Sequence, residues 1–161
     1  MKNSPDLEIR RLEKAGEAKA CARMMAGSEP WTTLGRGFEA SLEIVSDPSH
    51  EVYLALVDDA IVGFVVVSMT GAFIGYVKSI YTAPEWRNRG IGSRLMSYVE
   101  SRIFRETPNV FICVSSFNEG AQRLYRRLGY EVIGELKDYL VSGKSEILMR
   151  KTIAPLADFI G

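Results

Sequence analysis

Histidine is almost absent from this chain: His50 is the only one in 161 residues. A lone imidazole removes most zinc sites, and it removes histidine-based nucleophilic triads unless His50 serves. Its place just ahead of an apolar run reads as a polar residue leading into a strand. Cysteine is scarce too. Cys21 and Cys113 stand far apart without a pattern and offer no disulfide framework. Neither sign of charge prevails, with 20 Lys and Arg against 20 Asp and Glu. A duplex-binding protein carries a clear basic excess, so nucleic acid is not an expected partner. No apolar run reaches membrane-spanning length, and "MKNSPDLEIR" has no signal-peptide core. A cytoplasmic protein without membrane contact, and without a metal, is expected.

What remains is ordinary globular composition and enough chain for one domain with a real core. The spacing predicts a strand over 7–13 and a helix over 15–27. Residues 28–45 open with Ser28 and Pro30, a fair helix start, and Trp31, Leu34, Phe38, Leu42 and Val45 keep helical spacing. Gly35 and Gly37 weaken that helix by about 1 kcal/mol each, so two short pieces with a mobile joint are the alternative. Two β-rich runs around Asp58, Asp59 and Ala60 predict a hairpin over 51–69, followed by a strand over 72–82 that Pro84 ends. Ile91, Leu95, Val99 and Ile103 make a helical stripe over 90–104. A buried strand at 109–115, a helix at 118–130 capped by Asn118 and stopped by Gly129, and a final hairpin complete the chain. The order β-α-α-β-β-β-α-β-α-β-β describes an α/β arrangement on one mixed sheet. The core spans about 7–153. The tail, 154–161, is apolar and suits either docking on that core or covering the seam of a homodimer.

"EWRNRGIGSRL" (85–95) carries the chemistry. Three arginines and two glycines sit between a strand and a helix. The first N–H groups of a helix lack internal partners and its dipole favours an anion there. Glycine lets a phosphate approach the backbone, and arginine adds charge-assisted hydrogen bonds. Arg87, Asn88, Arg89, Gly90, Ile91 and Gly92 therefore read as a phosphate cradle with Ser93 as a hydroxyl donor. A tight turn with solvated arginines is the plainer reading. Ser93-Arg94 stands where a P-loop needs Lys-Ser/Thr, and Leu95 stands where a Rossmann fingerprint needs its third glycine, so neither motif applies.

Together with the rest of the chain, this stretch resembles the GNAT superfamily of acetyl-CoA-dependent N-acetyltransferases. Arg87-Asn88-Arg89-Gly90-Ile91-Gly92 matches the family's Arg/Gln-x-x-Gly-x-Gly/Ala, and Thr82-Ala83-Pro84 its strand ending. "VSSFNEGAQRLYRRLGY" matches its later strand-Asn-helix element through Asn118, Tyr125, Gly129 and Tyr130. The resemblance implies a single GNAT-like domain with a mixed, mostly antiparallel sheet. It implies acetyl-CoA as co-substrate, its pyrophosphate on the glycine loop and its pantetheine arm along backbone groups of Ile80 and Thr82. One N–H there would polarise the thioester carbonyl. Asn118 matches a pantetheine contact, although a plain helix cap serves equally. Tyr125 matches the general acid that protonates the leaving thiolate, although it also fits a packed helical face.

The expected base is missing. Relatives place Glu or His at the positions of Cys113 or Tyr76. Tyr76 matches instead a tyrosine that works with ordered water in N-terminal-amine acetyltransferases. Trp31 resembles a Pro-Trp of the ribosomal-protein N-terminal acetyltransferases, and Tyr139 lies in a segment like their substrate hairpin, so both are candidate acceptor contacts. With no strong base at 76 or 113, the acceptor is expected to be a low-pKa primary amine, a peptide N-terminus or a small molecule. Near pH 7.5 roughly a quarter of α-amines are neutral against about one lysine in a thousand. Glu29 or Glu39 are the other sources of a base, and a lysine acceptor stays open. A non-catalytic acyl-CoA-binding sensor is the alternative. A phosphate-binding module of unrelated fold is opposed by the Asn118–Tyr125 element.

Overall fold

A computed structural model describes residues 6–161. Seven strands form one sheet in the order β1-β2-β3-β4-β5-β7-β6. In chain order the elements are β1 (Leu7–Arg11), α1 (Ala15–Ala26), α2 (Phe38–Ser46), β2 (His50–Val57), β3 (Ala60–Ser68), β4 (Tyr76–Thr82), α3 (Ile91–Ile103), β5 (Asn109–Ser115), α4 (Glu119–Arg127), β6 (Glu131–Lys137) and β7 (Ser145–Thr152). Every neighbouring pair is antiparallel except β4 and β5. This is the α/β order that the sequence predicts.

Local chemistry explains most of it. Asp58 and Asp59 both take left-handed backbone angles, φ 48° and 63°, as a two-residue hairpin turn demands. Strands β2 and β3 bury both faces, which is why "VYLALV" and "GFVVV" are nearly continuous apolar runs. On one face α3 seats Leu95, Met96, Val99 and Ile103 against Val65, Val67 and Ile112. On the other, Cys21 and Met25 of α1 pack on Leu54, Phe64 and Val66. No helix among the described residues is long and apolar enough to cross a membrane.

Two expectations need correction. No helix begins at Ser28: residues 28–35 form successive turns, and α2 starts only at Phe38. Gly35 sits at φ +67°, outside helical space, and Gly37 is the extended cap that restarts the chain. The tail does not bury its apolar residues. Leu156 is 73% and Ile160 94% exposed, and only Phe159 among its large side chains is half-buried. Pro155 leads it into a single short turn, which corrects the docking alternative alone.

The strand pair β4/β5 matters most for function. It keeps only two registered pairs, Tyr76 with Phe111 and Val77 with Ile112, and then opens. A bulge in β4 sets what faces the gap. Val67 pairs with Val77 and Val66 with Ser79, so Lys78 is an extra residue. Beyond it, the Ala83 N–H donates to Val62 O on β3 at 2.8 Å. Strand alternation then turns the backbone of Tyr81 and Ser79 toward β3. The N–H and C=O groups of Ile80 and Thr82 are left facing the gap.

Candidate active site

Two cavities flank the opened strands. One, of about 760 Å³, lies between the start of α3 and α4, and Thr82, Arg87, Asn88, Gly90, Ile91, Gly92 and Ser93 line it. The other, of about 630 Å³, lies beyond β4 and β5 toward β7, lined by Tyr76, Cys113, Ser115, Tyr139 and Glu146 among others. Trp31, Ile80, Asn118 and Tyr125 belong to both walls.

The loop entering α3 leaves a run of backbone donors unpaired. Asn88 and Gly90 adopt φ +59° and +79°, and these left-handed residues turn successive N–H groups to one side. Among the described residues, no protein group accepts from the N–H groups of Asn88 through Ser93. A Cβ on Gly92 would touch Leu124 Cδ2 at 3.4 Å and lie 3.8 Å from Thr82 Oγ1, so any longer side chain runs into the space between α3 and α4. Arg87 is exposed and donates from Nε to Thr82 O at 3.3 Å, which leaves its other nitrogens free. The Arg89 side chain does not reach the cavity wall. Its guanidinium lies 5.0 Å above the Trp86 ring, so Arg89 offers the site its backbone alone.

Asn118 caps α4, its Oδ1 accepting from the Ala121 N–H at 3.2 Å, so the plain cap reading holds. Its amide nitrogen is unspent and lies on the wall of both cavities. Gln122 ties α4 to the end of β5 by donating to the carbonyls of Ser115 and Ser116. This fixes the turn of helix that carries Tyr125. That side chain is only 4% exposed, and its ring meets Tyr130 edge-on at 6.0 Å. Among the described residues its hydroxyl has no hydrogen-bond partner, whereas that of Tyr130 donates to Glu100 at 2.9 Å. Burial pushes the Tyr125 phenol above its ordinary value, so it holds its proton at neutral pH.

Tyr76 is half-buried beside the Cys113 thiol. Burial first, then that neighbour, raises its pKa. It can donate a hydrogen bond but is no anionic base. Trp31 is buried, 6.0 Å from the Tyr81 ring, so it joins the core and still forms cavity wall. Tyr139 is 59% exposed at the cavity mouth. Glu29 and Glu39 both point to solvent, and the Glu29 carboxylate is occupied by Thr32 and Thr33, so neither enters the second cavity.

The buried carboxylate in that cavity is one the sequence reading did not offer as a base; the exposed Glu43 also lines it. Glu146 lies on β7 directly opposite Ser115 of β5, 3% exposed, accepting from Ser115 Oγ at 2.8 Å. Burial raises its pKa, against the lowering effects of Ser115 and Arg36. Its signal in sequence was faint: an acidic residue sharing a strand face with Leu148, two positions on.

A mixed sheet that opens between its parallel strands, beside a helix start whose N–H groups are unpaired, fits an acyltransferase that takes its acyl group from coenzyme A. Residues 10–130 match the family model described as Acetyltransferase (GNAT) family, and the chain belongs to that family. Its co-substrate is accordingly acetyl-CoA. A GNAT-family protein from Desulfovibrio desulfuricans superimposes with a TM-score of 0.80 at 20% identity, covering 92% of this chain and 100% of its own. An aminoglycoside 6'-N-acetyltransferase complexed with coenzyme A gives 0.74 at 19% identity, with 92% and 98% covered. Ard1 from Thermoplasma volcanium gives 0.76 at 19% identity, with 92% and 99% covered. Likeness at this identity is likeness of fold. The neighbours are of several kinds, so the ribosomal-protein N-terminal type is not singled out.

Proposed function

We propose that this enzyme moves the acetyl group of acetyl-CoA onto a primary amine, of a peptide N-terminus or a small molecule, by direct attack of the nitrogen on the thioester. The observation that carries this is Tyr125: a buried, protonated phenol without a partner, on the wall that joins a phosphate-ready cavity to a second one. The residues suit coenzyme A. The free N–H groups of Asn88 to Ser93 and the side chain of Arg87 would hold the pyrophosphate, with the close approach that Gly92 permits. The gap-facing backbone of Ile80 and Thr82 and the amide of Asn118 would hold the pantetheine arm, and an N–H of β4 would stabilise charge on the carbonyl oxygen. Tyr125 would give its proton to the departing sulfur. Trp31, Tyr76 and Tyr139 would contact the acceptor from the second cavity.

Release of free thiol from acetyl-CoA across a panel of free-N-terminus peptides and small amines tests the reading. Turnover with at least one is expected. Tight coenzyme A binding with no turnover by any acceptor would overturn it. Arg87→Ala should weaken coenzyme A by one or two charge-assisted hydrogen bonds, about 1.5–3 kcal/mol each. Calorimetric titration checks this. An unchanged affinity would take Arg87 out of the phosphate contacts.

A further inference from the structure

Glu146 is the only charged side chain buried among the described residues. It lines the second cavity, and no cation of the described chain forms an ion pair with it. Its one direct partner is the Ser115 hydroxyl. The charged and titratable groups around it are Arg36, which influences it from beyond contact, Tyr76 and Cys113, both of which feel its charge, and Tyr125 and Tyr139 on the same cavity wall. Lys78 and Glu43 line the same cavity but are exposed. A carboxylate withdrawn from water costs several kcal/mol unless a cation joins it. The chain itself brings none within contact, and the open side of Glu146 faces a cavity.

We propose that the missing cation is the acceptor's own ammonium: Glu146 docks it and takes its proton, so the acceptor is a strongly basic aliphatic amine that arrives charged. This rests on the acetyl-transfer reading. The proton balance closes. The ammonium nitrogen passes one proton to Glu146, which releases it to solvent. Its freed lone pair forms the C–N bond, and the C–S bond breaks as the sulfur accepts the proton of Tyr125. The nitrogen's second proton restores the phenol, leaving amide, free thiol and one proton in solution. Glu146 thus supplies what positions 76 and 113 lack, and it removes the reason to expect only low-pKa acceptors.

The test is a graded series: ethylamine and its mono-, di- and trifluoro derivatives, near in size but falling in basicity. Wild-type and Glu146→Gln kcat/KM are compared by thiol release. On ethylamine the variant should lose about 100-fold or more, the usual worth of a positioned base. The loss should shrink along the series toward none for trifluoroethylamine, which arrives neutral. An equal loss on all four would make Glu146 a structural residue and overturn the inference while leaving acetyl transfer intact. A wild-type enzyme that acetylates free-N-terminus peptides yet none of the four would overturn the inference alone, whereas one that acetylates neither would overturn both. Ser115→Ala gives a second, milder readout. The Ser115 hydrogen bond lowers the Glu146 pKa, so its loss should move the acid limb of the wild-type pH profile to higher pH. An unmoved limb would also overturn the assignment.

Discussion

Gly92→Glu should yield a folded protein that no longer binds coenzyme A. The fold should survive because a Cβ at this position meets only ordinary van der Waals neighbours, Leu124 Cδ2 at 3.4 Å and Thr82 Oγ1 at 3.8 Å. An acidic residue in the first turn of α3 also suits the helix dipole, so the helix gains rather than loses. That same interaction destroys the site. The carboxylate competes for the free N–H groups ahead of Ser93, repels a pyrophosphate and fills the space between α3 and α4. Losing two charge-assisted phosphate contacts alone removes about 3 kcal/mol or more, roughly a hundredfold in Kd. Gly92→Ala adds no charge and leaves the loop's N–H groups free, so it should lose far less affinity than the glutamate variant. Calorimetric titration beside a thermal melt separates binding from folding. Wild-type affinity in the glutamate variant would show that the pyrophosphate lies elsewhere, and the proposed function would fall with it.

The features that sequence reading found share a cause: each is written in consecutive residues. The α3 stripe, the Asn109–Ser115 strand, the Asp58-Asp59 turn and the Asn118 cap are local choices of period, conformation or hydrogen bond, and the structure keeps all four. Glycine loop and tyrosine helix were legible for the same reason. The features that escaped depend on distant partners. Ile80 and Thr82 face the gap because Lys78 is an extra residue against β3, and nothing in "YVKSIYT" alone says so. Nothing in "GKSEILM" alone marks Glu146 as a buried residue. Its address became visible only when β7 was seen between β5 and β6, a crossover that chain order conceals. The helix expected from Ser28 failed differently. Its apolar spacing was real, and Trp31 is indeed buried, but Gly35 breaks the backbone that the spacing assumed.

Tyr125→Phe isolates the acid. The ring keeps its place against Tyr130, and because the hydroxyl has no protein partner, removing it strands no buried group. Stability should therefore change by no more than about 0.5 kcal/mol, the range of substitutions that disturb no packing or polar network. The chemistry should suffer far more. Burial holds the phenol protonated well above neutral pH, and the same withdrawal from water makes a departing thiolate in this cavity a stronger base than in solution. The proton is therefore in place to meet the charge that develops on sulfur as the C–S bond stretches. Its loss should lower kcat by about 100-fold or more. Coenzyme A affinity should stay the same, because the hydroxyl is used only as charge develops. In kinetic terms kcat and kcat/KM should fall together, the mark of an interaction made in the transition state alone. Steady-state thiol release and a calorimetric titration on the same preparation distinguish the outcomes. A fall in affinity with kcat preserved would make Tyr125 a binding contact for the thioester. Wild-type values of both would reduce it to core packing, and the sulfur would have to take its proton from solvent.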